Sequence, residues 1–283
     1  MSTERLQVRQ PRYADNQWYS SSRPQLQTEI EGYLAQTPPR SDLGELVGLV
    51  APHAGHFFSG HVAGAGFANL QPGAFKTVML LGPDHRGVAP GRMATPNVEA
   101  WRTPLGDIPV DWTALDALQS EIDLQLVGAD HEHSLEIELP FLQVALHNFK
   151  LVPLIMGNQS PEMCRRVGAA LAKTIGRRQD VLLVASSDLS HFYDDATARR
   201  LDESTLHFVL ELDAGGLIRH VEAGRRRGEP LACGAGPMAS IIHAAKELGA
   251  TQAHLIKYAT SGDVHAGKDS VVGYAAVAIC KAR

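Results

Sequence analysis

Three histidines follow three apolar runs in the same manner. Leu46-Val47-Gly48-Leu49-Val50-Ala51 stops at Pro52, and His53 comes next. Thr77-Val78-Met79-Leu80-Leu81 leads through Gly82-Pro83-Asp84 to His85, and Val181-Leu182-Leu183-Val184-Ala185 leads through Ser186-Ser187-Asp188-Leu189-Ser190 to His191. Each run reads as a buried strand that delivers an imidazole at its carboxyl end. Ligands of open α/β sheets bind in the crevice outside those ends, so the pattern predicts one site. A redox or Lewis-acid metal needs neutral imidazoles, an anionic ligand and an open position. Two histidines and a carboxylate on one face is the arrangement of non-haem Fe(II) oxygenases.

His53 and His85 could supply the imidazoles, and the anion could come from Cys233, Asp188, Asp84 or Glu132. Cys233 precedes a predicted helix, whose dipole would lower a thiol pKa. His191 and His133 would then serve as proton donors, proton acceptors or substrate anchors. Plainer roles compete with each of these. Asp188 could cap the next turn, Cys233 could be a small buried hydrophobe, and His133 could be a partner at a helix start. His131 reads as a solvated surface residue.

The elements that must position these groups alternate between strand and helix. Helical spacing of Leu26, Ile30 and Leu34 predicts a helix over 24–36, ended by Pro38-Pro39. A small-residue-rich helix is expected over 59–70. The segment 86–110 is loop-rich, with a turn between short strands at 102–106. A helix over 134–147 should bend at Pro140, and Pro161 should open a helix reaching Ile175. Strands are expected at 151–156, 252–259 and 271–280, and helices at 113–120, within 194–222 and at 237–248. This alternation favours an α/β fold: a single three-layer α/β/α domain over 1–283, with a mixed, largely parallel central sheet.

The composition narrows the function classes. Among 283 residues the hydrophobic share is 44%, enough for a substantial core, and the net charge is -5. With a sequence pI of about 6.2, a nucleic-acid-binding role is not expected. The basic run Arg225-Arg226-Arg227 lies between two glycines and reads as a solvated loop. Three cysteines without a CxxC pair fit a reducing, cytoplasmic setting. No secretory signal and no membrane span is visible. Other motifs fail on context. Gly262 to Lys268 fits GxxxxGK, but Asp269 replaces the Ser or Thr that binds magnesium. His131-Glu132-His133 lacks the second histidine of HExxH at Leu135, and no GxSxG elbow occurs.

Several short motifs occur together in one order: APHAG at 51–55, LGPDH at 81–85, RTPLG at 102–106, EHSLEIELPF at 132–141, SSDLSH at 186–191, CGAGP at 233–237 and GYAAVA at 273–278. With the amino-terminal stretch from Pro11 to Leu34, they resemble the Memo family along nearly the whole chain. That family is similar in fold to the class III extradiol dioxygenases. The resemblance implies a metal site at His53, His85 and Cys233, where the dioxygenases usually carry a carboxylate in the third place. It implies an acid–base role for His191 and ligand-orienting roles for His133 and Asp188. Fe(II) is the metal expected, with Cu or Zn as alternatives, and a small molecule or peptide is the expected ligand. Radical-SAM and AMMECR-type proteins are the partners that the resemblance implies. Three functions follow as expectations: a metal-dependent redox enzyme, a non-catalytic binding module on the same fold, or a zinc-type metallohydrolase.

Overall fold

The computed structural model describes residues 5–128 and 130–283. In chain order the elements are β1 (Leu6–Arg9), α1 (Arg23–Ala35), β2 (Glu45–Ala51), α2 (His56–Phe67), β3 (Thr77–Pro83), β4 (Met93–Pro96), β5 (Val98–Thr103) and β6 (Gly106–Pro109). There follow α3 (Trp112–Gln119), β7 (Leu124–Val127), α4 (Leu139–Leu146), β8 (Lys150–Met156), α5 (Pro161–Ile175), β9 (Val181–Ser186) and β10 (His191–Tyr193). The remainder is α6 (Asp195–Leu210), α7 (Ala214–Arg226), α8 (Ala235–Glu247), β11 (Gln252–Thr260) and β12 (Val271–Lys281).

A nine-stranded mixed sheet runs in the order β10-β12-β2-β9-β3-β8-β4-β7, with β11 also paired to β12. Its centre, β2-β9-β3-β8, is parallel. Antiparallel pairings bound it on both sides, β12 on β2 and β4 on β8. β3 and β9 are buried along their whole length. That explains why they read as continuous apolar runs rather than alternating ones. One helical layer holds α1, α2 and α4, with α2 resting on β2 and β12. The opposite layer holds α5, α7 and α8, with α8 resting on β2, β3 and β9. The outcome is an α/β/α architecture. A separate small sheet, β1-β5-β6, lies outside it.

Local chemistry accounts for several boundaries. Ser160 caps α5 by accepting the Met163 amide, with Pro161 next in line. α1 approaches α2 closely because α2 carries glycine where they meet: a Cβ on Gly64 would stand 2.7 Å from the Tyr33 backbone.

Two expectations need correction. The helix foreseen over 134–147 is a 3-10 turn at Glu136–Glu138 followed by α4. Pro140 does not bend a helix, because it sits in the first turn of α4, where its missing N–H costs nothing. The arginine run is not a loop. Arg225 and Arg226 close the last turn of α7, where cations offset the negative end of the helix dipole.

Candidate metal centre

Parallel pairing of β2, β9 and β3 puts their carboxyl ends at one edge of the sheet, and the predicted groups meet there. One ligand atom from each of His53, His85 and Cys233 can be chosen so that all three lie within 4.8 Å of one another. Cys233 Sγ stands 3.3 Å from His53 Nε2. The rings of His53 and His85 have centroids 5.2 Å apart at 74°.

Each imidazole is held through its other nitrogen. His53 is buried, its amide donates to Asp188 Oδ1 at 2.8 Å, and its Nδ1 lies 2.8 Å from Ser186 Oγ. His85 is the more open arm, with its side chain 28% exposed, and its Nδ1 lies 3.0 Å from Glu132 Oε1. Glu132 Oε2 also accepts the His85 amide at 2.6 Å. Occupied Nδ1 atoms leave both Nε2 atoms for a ligand, which is how metal-binding histidines are usually oriented.

The candidate anions differ in what each already bonds, and Glu132 also forms a second possible metal-ligating group with His85 and His133. Asp84 accepts the amides of Val88 and Ala89 and builds a turn. Glu132 takes the amides of His85, His133 and Ser134, so its lone pairs are largely spent. Asp188 holds the His53 backbone. Cys233 remains, and its Sγ accepts only a long contact from the Asp188 amide, 3.3 Å.

Cys233 does not have the lowered pKa that its place before α8 suggested. Burial, and then the nearby Asp188 carboxylate, push the thiol up. A bound cation is the natural compensation for a thiolate there. Burial, with His85 beside it, holds His53 well below the usual imidazole range, so it is neutral and able to ligate. Burial also raises Asp188, against the pull of His191. For Glu132 burial works upward, but the His85 hydrogen bond and charge outweigh it and hold the carboxyl below its ordinary range.

Both imidazoles open into a pocket of about 640 Å³, lined by His53, His85, His133, Asp188 and His191, with Trp18, Phe58 and Tyr274 among its walls. His133 stacks on His85, with centroids 4.6 Å apart at 25°, and meets Trp18 at 4.8 Å. Phe192, next to His191, has φ 66° and is 73% exposed. A left-handed backbone is uncommon for an aromatic residue, and the β10–β12 register shifts at this point. A larger concavity of about 1030 Å³ between α6 and β11 reaches His207 and His220. Neither of those residues belongs to a metal-ligating group among the described residues. His131 is exposed, as expected.

Three contributors were not foreseen. Ser186 and the fully buried Glu138 stand behind His53, 2.8 Å from each other. Glu136 accepts from the Arg9 guanidinium, the amides of Arg12 and Tyr13, and the Tyr19 hydroxyl. It thereby ties down the amino-terminal segment that brings Trp18 to the pocket. The signal available was EHSLEIELPF itself, where Glu136 and Glu138 alternate with apolar residues that a core would claim.

The fold and site define a class: a mixed-sheet α/β/α protein with a candidate His, His, Cys metal centre at the carboxyl edge of its parallel strands. The Memo-like protein family profile matches residues 9–278. A MEMO1 family protein of Methanosarcina mazei is 37% identical over 279 residues, covering 97% of this chain and 100% of that one. The counterpart in Methanopyrus kandleri is 37% identical, with 92% and 95% covered, and that in Pyrobaculum aerophilum 36%, with 96% and 99%. The chain belongs to the Memo family. Among solved structures, the uncharacterized protein JW3007 from Escherichia coli K12 aligns with a TM-score of 0.48 at 14% identity, over 81% of this chain and 99% of that one.

Proposed function

We propose that the protein is a metal-dependent redox enzyme whose metal, Fe(II) in the first instance, is held by His53, His85 and Cys233. The observation that carries this is the convergence of two imidazole nitrogens and one sulfur within 4.8 Å of one another, with both imidazoles lining a pocket. Bound there, the metal would supply a Lewis acid and an electron donor or acceptor. The chain's own residues do the rest. His191 faces the pocket, where it can take or return a proton from a ligand. His133 and Trp18 offer ring faces against which a planar or apolar small molecule can lie. Asp188 fixes the His53 backbone and lines the same space.

Metal analysis of protein purified without air tests the assignment. His53→Ala and His85→Ala should each lose the metal, and unchanged metal content in either would refute the ligand set. Oxygen uptake with Fe(II) and a panel of catechols tests turnover, which should depend on His191. Uptake that ignores His191→Ala removes His191 from the reaction, and no uptake at all leaves the binding-module reading in its place.

Zinc is the second metal to test, because its sites also accept two imidazoles and a thiolate. A hydrolase that tolerates oxidant and is stopped by chelator would be its signature. No helix among the described residues is long and apolar enough to cross a membrane. A cytoplasmic setting and association with radical-SAM and AMMECR-type proteins are part of the proposal, motivated by the family.

A further inference from the structure

Ser186 Oγ has three neighbours: His53 Nδ1 at 2.8 Å, Glu138 Oε1 at 2.8 Å and the Ser134 carbonyl oxygen at 2.6 Å. A hydroxyl offers one proton and two lone pairs. The Ser134 carbonyl can only accept, so at that distance it takes the hydroxyl proton. The two lone pairs then need two donors. One is His53, carrying its proton on Nδ1. The other has to be Glu138, and a carboxyl donates only when it is protonated.

The surroundings of Glu138 point the same way. Its side chain is fully buried, and its Oε2 has no hydrogen-bond partner. An ionised carboxylate left so bare would carry a large desolvation cost, whereas a neutral carbonyl oxygen carries a modest one. Burial raises its pKa well above the ordinary value, Asp188 adds to the rise, and the Ser186 hydrogen bond opposes it.

We propose that Glu138 is a positioning residue that stays protonated at neutral pH and donates to Ser186, completing the contacts of the hydroxyl to which His53, in the Nδ1–H tautomer with bare Nε2 facing Cys233, also donates. This goes beyond the metal reading and rests on it only for the purpose of the tautomer. Apolar sites elsewhere keep a carboxylic acid neutral so that it can donate a hydrogen bond. Here the recipient is a serine, and the effect reaches the imidazole one bond further on.

The test uses the full-length protein with Glu138→Gln, Glu138→Ala and Ser186→Ala. Infrared spectra of the metal-free protein at neutral pH should show a protonated-carboxyl stretch that Glu138→Gln removes. Nitrogen NMR of the His53 ring should show the Nδ1–H tautomer in wild type and in Glu138→Gln, whose amide N–H2 can replace the acid proton. Ser186→Ala should mix the tautomers and weaken Zn(II) binding about 10- to 100-fold, the usual loss when a partner behind a ligand is removed. Glu138→Gln should retain the Zn(II) affinity, and Glu138→Ala, which leaves the Ser186 hydroxyl without its second donor, should weaken it less than Ser186→Ala does. Absence of a Glu138-dependent protonated-carboxyl band, or loss of the tautomer in Glu138→Gln, would overturn the proposal. Wild-type protein that binds neither Zn(II) nor Fe(II) would overturn the metal reading instead, while the band and the tautomer still decide the role of Glu138.

Discussion

His53 and His85 stand side by side in the candidate centre, yet the chain supports them in opposite ways. Behind His53 stand a hydroxyl and a fully buried acid without a counter-charge. Behind His85 stands a carboxylate gathering hydrogen bonds from three amides and the ring itself. An ionised partner makes an imidazole more basic and a stronger donor to a cation, whereas a neutral partner fixes its orientation without adding charge. A centre that already contains a thiol gains from one arm of each kind. The partly exposed ring is stiffened by charge, and the buried ring is aligned without a second anion beside Asp188.

The comparison breaks most completely if a ligand is removed. His85→Ala or Cys233→Ser should take bound metal from about one ion per chain to near none, read by elemental analysis after dialysis. The sharpest contrast lies one layer back. Glu132→Gln should weaken Zn(II) binding about 10- to 100-fold, because the amide cannot replace the carboxylate's charge or accept all four contacts. Glu138→Gln should not. Equal losses from the two changes would erase the distinction between the arms.

Gly82 offers a way to disturb both arms at once. It lies at the end of β3, and a Cβ there would stand 2.4 Å from Ser134 Oγ and 2.8 Å from Leu135 Cδ2. Gly82→Ala should push away the segment that carries Glu132, Ser134 and Glu138, costing about 1–3 kcal/mol of stability in a denaturant titration.

The two acids should also part company in acid. Glu132 has a folded pKa below its ordinary 4.5, so it stabilises the fold above that pH and loses the contribution as pH falls through the window beneath it. Glu138 is raised, so its relative contribution is largest in acid and erodes once pH climbs past 4.5. Melting curves should therefore show Glu132→Gln less stable than wild type at pH 7, with the gap closing in acid. Glu138→Gln should show its advantage at pH 7 and little at pH 4. The smallest effect is expected at the pocket wall. Trp18→Ala should leave metal content unchanged and weaken binding of an aromatic ligand, visible in KM or Kd alone.

Much of this centre was legible because strand ends announce themselves. A run such as Thr77 to Leu81, buried on both faces, cannot be anything but apolar, and the polar residue that follows it must lie at the rim. Pro161 and Ile175 bounded α5 for similarly local reasons. The alternation in EHSLEIELPF marked acids in the core, but which ligand each support stands behind was not legible, because those pairings are long-range. Glu132 meets His85 across 47 positions, and Glu138 meets Ser186 across 48. In sequence, Ser186 is one of two adjacent serines, and Glu138 taken alone reads as the wet side of a helix. The helix dipole argument for Cys233 failed because burial and Asp188 outweigh one helix end.

The topology also sets a timetable. β2, which carries His53, is bordered by β9 on one side and β12 on the other. Neither neighbour is made until well over a hundred residues later. A nascent chain leaving the ribosome therefore holds this strand unpaired while most of the protein is still being translated. Cys233 emerges later still than β9, between the seventh and eighth helices, so the candidate centre is complete only once synthesis has passed its seventh helix. Until then the His53 imidazole and an open strand edge are exposed together.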